Sequence, residues 1–291
     1  MKLALHGRNF KEEVRPCIEA LLAFLTQKEA EIQFSDTFYT FLSKNGFTLP
    51  PSTIYHHPRE IFDADFIFSI GGDGTLLETV THVGDRKIPI VGINTGRLGF
   101  LATVSPDELL KNTKDLFTRS YTFDERTLIR VESDKDIFDG INFGLNEFTI
   151  ARRDTSSMIT VHTYIDGEYL NSYWADGLIV STPTGSTGYA LSCGGPLVLP
   201  QSSNFIIAPI SPHNLNVRPM IISDNSVVSF EIQGRSKNYL VSLDSRSRVV
   251  DSSIQLAVRK ESFKAKLVRF DGDNFLTTLR NKLSWGLDVR N

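Results

Sequence analysis

Phe66-Ile67-Phe68-Ser69-Ile70-Gly71-Gly72-Asp73-Gly74-Thr75-Leu76-Leu77-Glu78-Thr79-Val80 is the stretch that decides the fold. The short apolar run from Phe66 to Ile70 reads as a buried strand. Gly71 to Thr75 form a tight connection, and the residues from Leu76 to Val80 continue as a helix. A glycine-rich turn from strand to helix lets backbone N–H groups approach an anion, and the helix N-terminus adds partial positive charge. In sheets of parallel strands the crevice at the carboxyl ends is where ligands bind. Gly71, Gly72, Gly74 and Thr75 are therefore candidate phosphate-binding residues. Asp73 is the informative member. A carboxylate beside an anion-binding loop repels phosphate unless it has a chemical task, such as accepting the proton of an attacking hydroxyl. The alternative is an aspartate that merely closes a tight turn, since short motifs arise by accident. The chain carries neither the Walker pattern GxxxxGK[ST] nor a GxGxxG fingerprint opening a helix in its first unit, so phosphate chemistry here cannot rest on a Walker lysine.

Working outward, Ile88 to Ile93 reads as a second buried strand. Val14, Ile18, Leu21, Leu22 and Leu25 recur at helical spacing. Phe34, Phe38, Phe41 and Leu42 mark a second helix, with Asn45-Gly46 as its stop. Ser105-Pro106-Asp107-Glu108 opens a third, whose Leu109, Leu110, Thr113, Leu116 and Phe117 share one face. Strands alternating with helices imply a parallel sheet covered on both faces. From about residue 121 helix signals fade. Ile159–Ile165 and Glu168–Trp174 flank Asp166-Gly167, a hairpin signal because the tight turn needs positive φ. Further strands are predicted at Val227–Ile232, Tyr239–Asp244, Ile254–Arg259 and Ala265–Phe270. The expected architecture is α/β followed by all-β: an N-terminal Rossmann-like α/β domain over 1–120, then an antiparallel β-sandwich-like domain over 121–270. In the last segment, 271–291, Phe275, Leu279, Leu283 and Trp285 fall near helical spacing, and this segment is expected to pack back on the N-terminal domain.

Composition bounds the function. The 291 residues are 41% hydrophobic and 22% charged, the balance of a globular protein. Lys and Arg number 31 against 34 Asp and Glu, for a net charge of −3, which argues against a dedicated nucleic-acid binder. No apolar run approaches the ~18 residues of a membrane span, and polar residues break the start too early for a signal peptide. Two cysteines, Cys17 and Cys193, make neither a disulfide framework nor a zinc site, so a reducing cytoplasm is the expected location. His56-His57 has no nearby partner set, and no metal-ligating residue is assigned. His213, beside Pro212, reads as structural. Arg152-Arg153 and Arg246-Ser247-Arg248 are either solvated faces or phosphate contacts.

The glycine loop resembles that of the superfamily grouping NAD kinases, diacylglycerol and sphingosine kinases, and 6-phosphofructokinases. Further segments choose among them: Asn94-Thr95-Gly96-Arg97-Leu98-Gly99-Phe100-Leu101, Asn146-Glu147, and the run from Asp176 through Thr182-Pro183-Thr184-Gly185-Ser186-Thr187-Gly188-Tyr189 to Ser192-Cys193-Gly194-Gly195-Pro196. In this order and spacing the chain resembles the NAD kinases along essentially its whole length, through Pro212-His213-Asn214-Leu215 to Trp285. The resemblance implies transfer of the ATP γ-phosphoryl to the 2′-hydroxyl of the adenosine ribose of NAD. ATP would carry a divalent metal ion, magnesium, and Asp73 would be the catalytic carboxylate. Phe100, Asn146, Glu147, Asp176, Thr184, Thr187, Gly188, Tyr189 and Ser192 would form the NAD site. The chemistry agrees: acidic side chains and Asn suit vicinal ribose hydroxyls, and Phe100 suits an adenine face. The resemblance also implies a homodimer or homotetramer built through the β domain, with no nucleic-acid or membrane partner. The rival readings are a lipid kinase of the same superfamily, against which the hydroxyl-rich loop speaks, and a non-catalytic dinucleotide sensor, against which Asp73 speaks. Two positions depart from the family pattern: Gly188 stands where alanine is common, and Ser245 follows Asp244 where glycine is frequent.

Overall fold

The computed structural model describes residues 1–96, 99–153 and 157–285. Its chain divides into two compact units, Met1–Glu125 with Lys266–Asn291, and Arg126–Ala265.

The first unit is α/β. Its elements are β1 (Lys2–Gly7), α1 (Arg15–Gln27), β2 (Glu31–Ser35), α2 (Asp36–Lys44), β3 (Ser52–Tyr55), β4 (Phe66–Gly71), α3 (Asp73–Val83), β5 (Ile90–Asn94) and α4 (Leu109–Thr118). The strands pair in parallel in the order β3-β2-β1-β4-β5, with Leu5 opposite Phe68 and Phe68 opposite Val91. Every residue of β4 and β5 is buried, as expected of strands with helices on both sheet faces. The core joins Leu3, Leu5, Phe68 and Ile93 to Ile18, Leu21 and Leu25 of α1 and Phe38 of α2. Strand order reverses between β1 and β4, and a sheet of this kind opens its ligand crevice at that switch point. The glycine loop leaves β4 there.

Among the described residues the second unit is all-β apart from a 3-10 turn over Thr184–Thr187 and one short α-helix. In chain order it holds β6 (Thr122–Ser133), β7 (Phe143–Gly144), β8 (Glu147–Arg152), β9 (Ile159–Ile165), β10 (Glu168–Ala175), β11 (Gly177–Ser181), α5 (Tyr189–Ser192), β12 (Asn204–Ile210), β13 (Met220–Ser223), β14 (Val228–Gln233), β15 (Asn238–Leu243), β16 (Arg246–Asp251) and β17 (Leu256–Arg269). The first four residues of β6 and the last four of β17 count with the first unit, and α6 (Phe275–Leu283) follows there. One antiparallel sheet runs β13-β12-β11-β8-β15-β16. The other runs β10-β9-β14-β17, with β6 on β17 and β7 on β6. Phe148 of the first sheet and Phe230 of the second stand 6.0 Å apart in the layer between them, among Ile150, Val161, Val180, Ile207 and Val241. Truncating such a buried aromatic to alanine costs about 3–5 kcal/mol.

Several expectations shift in detail. Phe34 lies in β2 rather than joining the helix, because β2 is paired on both sides and that pairing overrides the helical spacing. Ser105 does not cap α4: its hydroxyl donates to Glu108 Oε2 at 2.8 Å, two turn bonds follow, and the helix starts at Leu109. The segments around 254–259 and 265–270 are one strand, β17. The hairpin falls where Asp166-Gly167 predicts it, with φ of 52° and 85° at the two turn residues. Among the described residues no helix is long and apolar enough to cross a membrane.

Candidate functional site

In the first unit, Asp73 opens α3 and points its carboxylate at a neighbouring loop. Oδ2 accepts the N–H of Phe100 at 2.8 Å, and Oδ1 accepts those of Leu101 and Ala102 at 3.1 Å each. The loop comes this close because residue 99 is glycine: a Cβ there would lie 2.0 Å from Asp73 Oδ1. A carboxylate offers about four acceptor positions, so three amides leave one on Oδ2 for a hydroxyl. Asp73 thus closes a loop and keeps capacity for chemistry. Thr75 is buried with its hydroxyl against Gly71, while a Cβ at Gly72 or Gly74 would meet no protein atom within 4 Å. At the start of α3 the Thr75 N–H donates to the Gly72 carbonyl at 3.0 Å, which leaves the amides of Asp73 and Gly74 without an intrahelical partner, the condition for anion binding. Asn94 ends β5 and its side chain accepts the Gly96 N–H at 3.0 Å. Arg97 and Leu98 of the same motif lie outside the described residues.

The second unit gathers most of the other candidates around Asn146 and Glu147. Asp244, at positive φ in the turn between β15 and β16, accepts the N–H groups of Leu145, Asn146 and Glu147 at 2.7, 2.8 and 3.1 Å. Burial raises its pKa despite these three amides and the charge of Arg246. Glu147 is pushed up to about 8, first by burial, then by the Asp244 carboxylate, against the Tyr189 backbone N–H that lowers it. Asn146 Oδ1 and Glu147 Oε2 are both buried without a hydrogen-bond partner. Unsatisfied buried acceptors are uncommon and call for a donor. Gly188 lies beside them: a Cβ there would stand 3.1 Å from Glu147 Oε2 and 3.5 Å from Asn146 Nδ2. The glycine that departs from the family pattern thus leaves room at the orphaned carboxylate oxygen.

The remaining candidates differ in how they present themselves. Thr187 is half-buried and donates to the Thr184 carbonyl at 3.2 Å. Thr184 is buried, its hydroxyl accepting from Arg126 at 3.2 Å. Tyr189 and Ser192 are exposed on α5. Asp176 is ion-paired to Arg152 at 3.0 Å. Phe100 is half-buried and touches Asp73 through its backbone. His213 lies against Trp174 with ring centroids 4.1 Å apart, a packing role. Arg246 donates to the carbonyls of Ile141 and Phe143, and Arg248 pairs with Asp139 at 2.7 Å. Arg126, fully buried next to Thr184, escapes sequence reasoning because nothing in the alternation of β6 marks its side chain as inward.

A carboxylate set into a glycine loop at the switch point of a parallel sheet, and a second constellation of orphaned acceptors suited to hydroxyl donors, are the features of a nucleotide-dependent phosphotransferase on a Rossmann-like α/β and antiparallel β framework. Comparison with known proteins narrows that class. The profile of the ATP-NAD kinase N-terminal domain matches residues 21–121, and that of the ATP-NAD kinase C-terminal domain matches 145–276. The chain is 56% identical over 292 residues to an NAD kinase of Cytophaga hutchinsonii, and 44% identical over 298 residues to one of Flavobacterium psychrophilum, each match covering 100% of both chains. Among solved structures, a yeast NADH kinase complexed with NADH superposes with a TM-score of 0.89 at 21% identity, over 100% of this chain and 89% of the other. An NAD kinase of Archaeoglobus fulgidus in complex with ATP gives 0.74 at 28% identity, over 98% and 99%. The chain belongs to the NAD kinase family, and it is an enzyme with that activity.

Proposed function

We propose that the chain transfers the γ-phosphoryl of ATP to the 2′-hydroxyl of the adenosine ribose of NAD, with Asp73 orienting that hydroxyl and accepting its proton. The observation that carries the acceptor assignment is the pair of orphaned acceptors, Asn146 Oδ1 and Glu147 Oε2. A ribose presents two adjacent hydroxyls with one proton each: the 3′-hydroxyl donates to this acceptor pair, and the 2′-hydroxyl keeps its proton for Asp73. On this reading Thr187, Gly188, Tyr189 and Ser192 line the dinucleotide, Thr184 and Asp176 brace the loop, and Phe100 meets the adenine. The amides of Gly72, Asp73 and Gly74 hold phosphate, because a loose phosphoryl-transfer transition state spreads negative charge that fixed N–H dipoles stabilise. Magnesium enters on the ATP phosphates as part of the substrate. The two free thiols fit a cytoplasmic enzyme. Exposed Trp174, Leu215, Met220 and Ile221 on the β-rich unit fit a homodimer or homotetramer, to be read by analytical ultracentrifugation.

The test mixes pure protein with NAD and Mg-ATP and measures NADP. No NADP with any of several phosphoryl donors would defeat the assignment. An Asp73→Asn variant with full turnover would defeat the role given to Asp73.

A further inference from the structure

His6, Glu78 and His82 form a cluster that the kinase reaction does not use. His6 sits near the carboxyl end of β1, while Glu78 and His82 lie one turn apart on α3. One ligand-type atom from each lies within 4.8 Å of the others. The two imidazole rings are 4.3 Å apart, and His6 Nε2 is 3.2 Å from Glu78 Oε2. His6 is fully buried, and its Nε2 faces the Glu78 carboxylate without a well-aligned hydrogen bond.

Hydrogen bonds from outside the cluster hold both rings. His6 Nδ1 is engaged by Ser35 Oγ at 3.0 Å, and His82 Nδ1 by Tyr55 Oη at 3.0 Å. Each ring is thus held through Nδ1, which leaves its Nε2 available as a ligand, as supporting hydrogen bonds do for metal-ligating histidines. We propose that His6, Glu78 and His82 bind a divalent transition-metal ion of the zinc class, with a solvent molecule as fourth ligand. Two imidazoles and one carboxylate suit zinc, and they disfavour magnesium and calcium, which take oxygen ligands. Zinc–nitrogen bonds of about 2.0 Å place ligand atoms about 3.3 Å apart, so the cluster contracts slightly on binding. The competitor is Arg8, whose guanidinium holds both Glu78 oxygens at 2.9 and 2.6 Å. Its side chain is 56% exposed and free to swing into solvent when the metal takes the carboxylate. A bound ion would tie β1 to the helix that carries the phosphate loop.

The test uses the full-length protein, stripped with chelator and titrated with Zn2+ against a chromophoric chelator. One equivalent should bind. His82→Gln and Glu78→Gln should each weaken binding at least about tenfold, and Arg8→Ala should tighten it. Cys17→Ser, Cys193→Ser and His56→Ala with His57→Ala should leave affinity unchanged. Co2+ should give the visible bands of a tetrahedral site without thiolate charge transfer, and His82→Gln should abolish them while circular dichroism shows the fold intact. Absence of stoichiometric binding, or wild-type affinity in both His82→Gln and Glu78→Gln, would overturn the proposal.

Discussion

On the proposed mechanism Asp73 both closes a loop and takes a proton, and substitution can separate the two. Asparagine keeps the size but loses the charge, and its NH2 faces an amide donor of the Phe100–Ala102 loop in place of an acceptor. Asp73→Asn should lower kcat by about 10²–10⁴-fold, the usual contribution of a general base. Gly99→Ala probes the same carboxylate from the other side. Its Cβ would lie 2.0 Å from Oδ1, so either the loop or Asp73 must move. That variant should cost about 1–3 kcal/mol in urea denaturation and lower kcat although no titratable group is removed. A Gly99→Ala enzyme with wild-type kcat would show that the contact between this loop and Asp73 does not matter for turnover. The aspartate itself was legible in the sequence, because a carboxylate among phosphate-loop glycines asks for an explanation. Its amide partners were not, since they sit 27 to 29 residues away and are reached through loop geometry that no periodicity encodes.

At the scale of elements, the turn between β15 and β16 does more than reverse the chain. Asp244 gathers three consecutive amides at the start of β8 and so fixes where Asn146 and Glu147 stand. Asp244→Ala leaves those donors buried and unpaired, and a loss of about 3 kcal/mol or more is expected by urea denaturation, with a raised KM for NAD. A stable variant with unchanged KM would remove Asp244 from the site's support. Ser245, where glycine is frequent in the family, is readily accommodated because Asp244 takes the positive φ and Ser245 does not. Ser245→Gly should therefore be destabilising by at most about 1 kcal/mol, through the freer unfolded chain. The Asp166-Gly167 hairpin was readable because its turn chemistry is local. The start of α4 was misread because a serine three residues before a glutamate predicts a capping box, and here the two side chains bond each other instead.

At the scale of the whole molecule, the alternation of helix and strand announced an α/β unit and a β-rich one, but the pairing β3-β2-β1-β4-β5 is a long-range choice that no segment states alone. Linkage to protons is likewise a property of the folded whole. Glu147 holds its proton up to about 8 in the folded chain, against an ordinary value of 4.5. Between those values the folded state binds more protons than the unfolded one. Stability of the ligand-free protein should therefore fall as pH rises through that window, by at most about 1.4 kcal/mol per unit, and level off above it. NAD should act in the opposite sense. A ribose hydroxyl donating to Glu147 favours the carboxylate, so binding near neutral pH should expel up to one proton. NAD affinity should then rise with pH by at most about tenfold per unit, and flatten above the pKa of the free protein. Calorimetry at pH 7 in buffers of unlike ionisation heat reads the released proton directly. Glu147→Gln should bind NAD more weakly, release none, and lose the corresponding slope in stability. If that variant releases as many protons as the wild type, the titrating group is elsewhere and the ribose does not meet Glu147.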